Sequence, residues 1–141
     1  MPHIDKFQGN GYTKEEMKMV WETRKIFEDE QVLVNPTCVR IPVFFGHSEA
    51  VSIRTTQPID AESVRQLLKA APGVTLFENE DEYPTAVQHA SGQDPVYVGR
   101  VRPHLDDDHG INMWVVSDNV RKGAALNSVQ IAEQLLSELA A

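Results

Sequence analysis

Hydrophobic positions along the chain recur with two periods, one typical of helices and one typical of strands. Thr13 and Glu16 have the spacing of a capping box, and apolar residues at helical intervals follow, which predicts a helix over 14–27. A second helix begins after Asp60 as its N-cap. A third, with a broad apolar stripe, runs from about 122 to 139.

Between these helices, short runs rich in Val, Ile and Phe alternate with turn residues and predict strands. Pro42 removes a backbone donor and is expected at an edge or an irregular point. The polar stretch 79–93 is interpreted as a surface loop. The fold class is therefore α+β: a mixed, mostly antiparallel sheet with helices packed on one face, in one domain over residues 1–141. The predicted strands cover 32–34, 38–45, 48–55, 74–78, 95–102 and 111–117.

The most informative stretch is the pair of predicted strands joined at Gly46 and His47. Arg40 lies just before the apolar run, and His47 lies at the joint. A guanidinium near an imidazole is typical of anion recognition beside a proton-transfer group. From these residues alone, a surface arginine and a loop histidine on a hairpin are the preferred interpretation.

Charged residues share another face of the first predicted helix. Glu15 and Lys18 are three residues apart, so their side chains are neighbours. One interpretation is a solvated face with weak ion pairs. The other is a carboxylate and an ammonium presented together to a zwitterionic ligand.

Composition narrows the classes of partner. Apolar residues make up 41% of the chain and charged residues 24%, which is ordinary for a globular protein. The formal charge of −8 argues against nucleic acid and against an anionic membrane surface. No apolar run approaches the ~20 residues of a membrane helix. A single cysteine, Cys38, excludes an internal disulfide and fits a cytoplasmic location.

Two further groups resemble catalytic or metal sites but are interpreted otherwise. Cys38 and His47 are nine residues apart, about 30 Å in an extended chain, so a nucleophile–base dyad is rejected. His104, the three aspartates 106–108 and His109 do not have the spacing of a zinc or calcium site, and no metal is predicted.

The setting of Arg40 and His47, Cys-Val-Arg-Ile-Pro-Val-Phe-Phe-Gly-His-Ser-Glu-Ala-Val, resembles the C-terminal domain of bacterial aspartate-semialdehyde dehydrogenases. The resemblance covers essentially the whole chain. It implies a fold like the C-terminal domain of glyceraldehyde-3-phosphate-dehydrogenase-like enzymes. Three other blocks agree in the same order: 11–19 with Glu22 and Thr23, 97–102, and 114–127.

The resemblance also implies roles for individual residues. His47 matches the catalytic histidine, whose imidazole suits proton transfer with a thiol. Arg40 matches the arginine that binds the substrate carboxylate, and Glu15 matches the residue that binds its amino group. Lys18 matches a lysine that contacts phosphate. Asn119 matches a position near the nicotinamide.

The implied activity makes L-aspartate 4-semialdehyde from L-aspartyl-4-phosphate with NADPH, in lysine, threonine and methionine biosynthesis. The nucleophilic cysteine and most of the NADP site would lie in an N-terminal domain that this chain lacks. The opening residues 1–6 have the character of a connector, so we expect a truncated or detached half that is inactive alone and that forms a homodimer. The alternatives are a non-catalytic dimer scaffold and a paralogue that reduces another acyl phosphate.

Overall fold

The computed structural model describes residues 1–79 and 81–140, which divide into two compact units, Met1–Pro42 and Val43–Ala141. In the first unit, helix α1 spans Lys14–Phe27. It begins with the predicted capping box, in which the Thr13 hydroxyl accepts the Glu16 N–H and the Glu16 carboxylate accepts the Thr13 N–H. It ends at Glu28, whose φ of 52° is left-handed.

The second unit is built on one four-stranded sheet. Its strands are β1, His47–Arg54; β2, Val74–Leu76; β3, Val96–Pro103; and β4, Gly110–Ser117. Their order across the sheet is β1-β4-β3-β2, with β4 antiparallel to both neighbours and β2 parallel to β3. The two longer helices of this unit are α2, Ala61–Ala70, and α3, Leu126–Leu139, and two short helical turns occupy Ala86–Ala90 and Arg121–Ala125.

Helix α2 covers one face of the sheet. Val64 packs there with Val98, Val101 and Ile111, all of them buried. Val98 and Val101 share this face because β3 carries a bulge between Gly99 and Arg102. In a regular strand they would point to opposite faces, since side chains alternate with a period of two.

The opposite face is covered by the helical turn Ala86–Ala90. Ala86 and Ala90 are buried against Val116, with Tyr97 and Trp114 beside them. The Trp114 indole N–H donates to the carbonyl of Pro84 at 2.9 Å. This packing fixes the segment before β3 over the end of β4 that carries the candidate site.

The predicted fold class is confirmed, as are helices α1 and α2 and strands β3 and β4. The strands predicted at 32–34 and 38–45 are absent, so the expected hairpin around Gly46 is wrong; only its second strand forms, as β1. The predicted loop 79–93 contains the turn Ala86–Ala90, and its residue 80 lies outside the described part. The single domain over 1–141 stays a prediction.

Helix α3 replaces most of the predicted final helix and follows directly on the turn Arg121–Ala125. None of its residues is buried. Among the helices within residues 1–79 and 81–140, none combines the length and the apolar character needed to cross a bilayer.

Candidate functional site

His47 is the first residue of β1 and lies opposite Ser117, the last residue of β4. Its side chain is exposed. Gly46, just before it, has a φ of +96°, a conformation that glycine adopts without steric penalty. The Gly46 N–H donates to Oδ1 of Asn119 at 2.8 Å. The turn after β4 therefore holds the peptide that leads into His47.

Asp118 organises that turn. Its side chain is only 4% exposed and accepts three backbone N–H groups, from Gly92 at 2.7 Å, Val120 at 2.8 Å and Arg121 at 3.1 Å. The Gly92 N–H, and then those of Arg121 and Val120, lower the pKa of the Asp118 carboxyl against the opposing effect of burial. The group is therefore an anion at neutral pH.

Sequence reasoning missed Asp118. The available signal was an acidic residue directly after a buried strand, followed by Asn119. Aspartate in such a position commonly accepts backbone N–H groups two and three residues further on. Asp118 also joins two separate segments, because Gly92 follows the turn Ala86–Ala90 that packs on Val116.

In the first unit, Glu15 and Lys18 contact each other on α1. The Lys18 Nζ lies 3.2 Å from Oε2 and 3.4 Å from Oε1 of Glu15. Hydrogen bonding to Glu15, and then its charge, raises the pKa of Lys18, so the ammonium form persists at neutral pH. The Glu15 side chain is 37% exposed and the Lys18 side chain 42%, which leaves both charges open to a ligand. Exposed pairs contribute little to stability, so exchanging one partner for a ligand costs little.

Glu16 links this helix to the segment that carries Arg40. Its Oε2 accepts the Thr13 N–H at 2.8 Å, and its Oε1 accepts the Cys38 N–H at 2.9 Å. These two backbone donors, Thr13 first, lower the pKa of the Glu16 carboxyl. Arg40, two residues beyond Cys38, exchanges two hydrogen bonds with Met1 through its backbone N–H and carbonyl. The Arg40 side chain is exposed.

Cys38, the single cysteine, is half-buried, and its Sγ lies 3.4 Å from Sδ of Met19. Packing against a methionine sulfur suits a small, weakly polar thiol. The structure thus places Cys38 within the first unit as a packing residue whose backbone N–H is bound by Glu16.

The segment 104–109 is a folded loop whose polar groups bond to β1 and to one another. The Asp107 carboxylate accepts the Arg54 Nε–H at 2.8 Å and the His109 N–H at 3.0 Å. The His104 Nε2 lies 2.9 Å from the Ser52 hydroxyl. Within residues 1–79 and 81–140, no three His, Cys, Asp or Glu side chains are grouped to hold a metal ion.

The five residues singled out by sequence therefore fall into two groups. Glu15, Lys18 and Arg40 belong to the unit Met1–Pro42, where Glu15 and Lys18 are in direct contact. His47 and Asn119 belong to the unit Val43–Ala141, where they are connected through the Gly46 N–H. Their roles stay predictions.

Comparison with known proteins gives one consistent result. The model of the family described as "Semialdehyde dehydrogenase, dimerisation domain" matches residues 1–122. An aspartate-semialdehyde dehydrogenase of Shewanella violacea is 65% identical over 138 residues, which are 98% of this chain and 41% of that protein. The chain thus spans about two fifths of the length of the curated relatives it matches.

Two solved structures extend the comparison. Aspartate semialdehyde dehydrogenase II of Vibrio cholerae, complexed with ASA, has a TM-score of 0.93 and 59% identity over 97% of this chain and 40% of its own. Aspartate semialdehyde dehydrogenase with NADP from Candida albicans has a TM-score of 0.75 and 26% identity over 94% of this chain and 43% of its own.

Proposed function

This chain belongs to the semialdehyde dehydrogenase family, and we propose that it forms the C-terminal, substrate-binding and dimerising part of an aspartate-semialdehyde dehydrogenase. The whole enzyme reduces L-aspartyl-4-phosphate with NADPH to L-aspartate 4-semialdehyde, phosphate and NADP, in the cytoplasm. The observation that carries the proposal is the family match over residues 1–122, because that range contains all five predicted site residues.

We assign the role of base to His47. A neutral imidazole accepts the proton of a nucleophilic thiol and returns it later in the reaction. That thiol lies outside this chain in our proposal, because Cys38 packs on Met19 and its backbone N–H is bound by Glu16. The chain alone is then inactive, since it supplies the base and the substrate contacts but no nucleophile.

The substrate contacts come from the first unit. Arg40 presents a planar guanidinium that suits bidentate binding of the aspartyl carboxylate. Glu15 binds the substrate ammonium, and Lys18 binds the phosphate. The Glu15–Lys18 contact at 3.2 Å supports this assignment, because one carboxylate and one ammonium side by side match a ligand that carries both signs of charge.

For NADP, the residues present fit only one small part of the cofactor. The Asn119 Oδ1 accepts the Gly46 N–H, which leaves the amide nitrogen end to donate to a nicotinamide carboxamide. When bound, the cofactor supplies the hydride. We assign most of the NADP contacts to the part of the enzyme outside this chain. The homodimer forms through this domain, in keeping with the family description.

The test uses the full-length enzyme that contains this chain, assayed with aspartate semialdehyde, phosphate and NADP. His47→Asn should lower kcat by about 10²–10⁴-fold, the usual share of a general base. His3→Asn, in a different part of the chain, should leave kcat unchanged. Full activity of His47→Asn would overturn the assigned reaction mechanism.

A second arm tests the substrate contacts. Arg40→Lys keeps the charge but loses the planar fork, so KM for aspartate semialdehyde should rise about tenfold. Arg102→Lys is the matched control, since the Arg102 side chain is exposed and donates to the nearby Arg100 carbonyl. Equal KM values for the two variants would remove Arg40 from the substrate site.

A further inference from the structure

We propose that Asn119 is a positioning residue for His47, acting through its side-chain oxygen on the Gly46 N–H. This inference rests on the proposed role of His47 as the base. It adds a role for Asn119 that does not depend on contact with the cofactor.

The orientation of the Asn119 amide follows from the hydrogen bond itself. The Gly46 N–H is a donor, so the Asn119 atom 2.8 Å away is the oxygen, Oδ1. The residues joined are 73 positions apart in sequence, so this contact ties the start of β1 to the turn that follows β4. The amide nitrogen takes no part in it.

His47 needs such an anchor because of its place in the sheet. Strand β1 is an edge strand that pairs only with β4 among the described residues, and His47 is its first residue. Terminal residues of edge strands open with low free energy, since few contacts hold them. The Gly46–Asn119 hydrogen bond adds a fixed point one residue before the imidazole.

Two further observations show that the backbone around Gly46 is closely packed and fixed in place. A Cβ placed on Gly46 would lie 2.8 Å from the Ala86 Cβ and 3.3 Å from the Ser117 carbonyl oxygen, so the backbone there is enclosed. Asp118, buried beside Asn119, binds the N–H groups of Val120 and Arg121 and fixes the turn from which Asn119 reaches Gly46.

The experiment separates the oxygen of Asn119 from its amide nitrogen in the full-length enzyme. Asn119→Ala removes both, and Asn119→Asp keeps an oxygen acceptor in the same place. We expect Asn119→Ala to lower kcat about 10–100-fold, as a misplaced catalytic group does, with KM for aspartate semialdehyde within about twofold. Asn119→Asp should restore most of kcat. A rise in KM for NADP in the Asp variant, with kcat restored, also supports the proposal and adds a cofactor contact.

The control is Asn112→Ala. Asn112 lies on β4, five residues before Ser117, the residue that pairs with His47, and is therefore about 17 Å from that pair along the strand. The inference is wrong if Asn119→Ala behaves like this control, or if it raises KM for NADP while kcat stays normal. If Asn119→Ala does not fold, as judged by its melting curve, Asn119→Ser provides the same comparison with a side chain too short to reach Gly46. An inactive His47→Asn enzyme beside a fully active Asn119→Ala enzyme would reject the positioning role alone.

Discussion

Gly46→Ala is the substitution whose cost can be worked out most fully from the structure. Two penalties combine at this position. An alanine held at a φ near +96° costs about 1–2 kcal/mol, because an L-residue in a left-handed conformation brings its Cβ close to the following carbonyl oxygen. The new Cβ also meets the Ala86 Cβ at 2.8 Å in a closely packed region, and overpacking of this kind costs about 1–3 kcal/mol.

The expected loss in free energy of unfolding is therefore about 2–5 kcal/mol, measured by urea denaturation of the chain. Gly73→Ala provides the matched control, because Gly73 has a φ of +73° and, apart from its chain neighbours, no described residue has an atom within 4 Å of its Cβ position. It should lose only the conformational part, about 1–2 kcal/mol.

The steric part can be isolated with a double-mutant cycle. Adding Ala86→Gly to Gly46→Ala removes the methyl group that collides, so the two changes together should cost less than their sum by about 1–3 kcal/mol. If Gly46→Ala costs no more than Gly73→Ala, or if the cycle gives no coupling, then Gly46 is not enclosed by Ala86 and the reasoning fails. In the full-length enzyme, the same shift of the peptide before His47 should lower kcat.

Three other predictions concern stability, each measured by urea unfolding. Ile111 is 2% exposed between α2 and the sheet, so Ile111→Ala should lower the free energy of unfolding by about 2–5 kcal/mol. Leu105 is 98% exposed, so Leu105→Ala should lower it by less than about 0.5 kcal/mol. Equal losses would contradict the assigned core. Asp118→Asn should destabilise the chain at pH 7, because the native backbone N–H groups favour the ionised carboxylate. The difference in stability from the original chain should disappear as pH falls below 3.8, the ordinary pKa of an aspartate, and through the lower pKa of Asp118 in the folded state. A difference that persists at the lowest pH would refute this. Glu28→Gly should raise stability by about 1 kcal/mol, because it relieves a φ of 52° at the end of α1, and Glu30→Gly should not.

The elements that could be predicted from sequence are those with local causes. Helix α1 was predicted over its observed bounds because its capping box and helical period are both contained in one segment. Strand β3 followed from the alternation within 95–102, and β4 from the strand-like run 111–117. The resemblance drawn from four ordered blocks is confirmed, and with it the family.

The misses have non-local causes. The run 38–45 has the composition of a strand, yet forms none; Phe44 is 99% exposed there, and the division between the two units falls after Pro42. A strand depends on a partner, which composition does not supply. The turn Ala86–Ala90 did have a local signal, since Thr85 and Gln88 have capping-box spacing and the Thr85 hydroxyl accepts the Gln88 N–H.

For the site, sequence identified candidate side chains but not what holds them. The Gly46–Asn119 hydrogen bond depends on β1 lying beside β4 and joins residues 73 positions apart. The carboxylate of Asp118 binds the N–H of Gly92, 26 positions away. Glu16 was assigned only to the capping box, although its second oxygen also binds the Cys38 N–H on the way to Arg40. Long-range contacts of this type have no periodic trace in the chain.

The extra residue in β3 determines which side chains of that strand face inward and which face outward. Between Gly99 and Arg102 lie Arg100, with a left-handed φ of 55°, and Val101, whose carbonyl accepts a hydrogen bond from Arg65 of α2. Deleting one residue here would leave Gly99 and Arg102 two positions apart, opposite Trp114 and Asn112, so the strand would pair regularly and keep its inward and outward positions. Deleting two would shift the register by one residue and exchange the two faces. Among related chains, a one-residue deletion within 99–102 should therefore be tolerated, and a two-residue deletion should not.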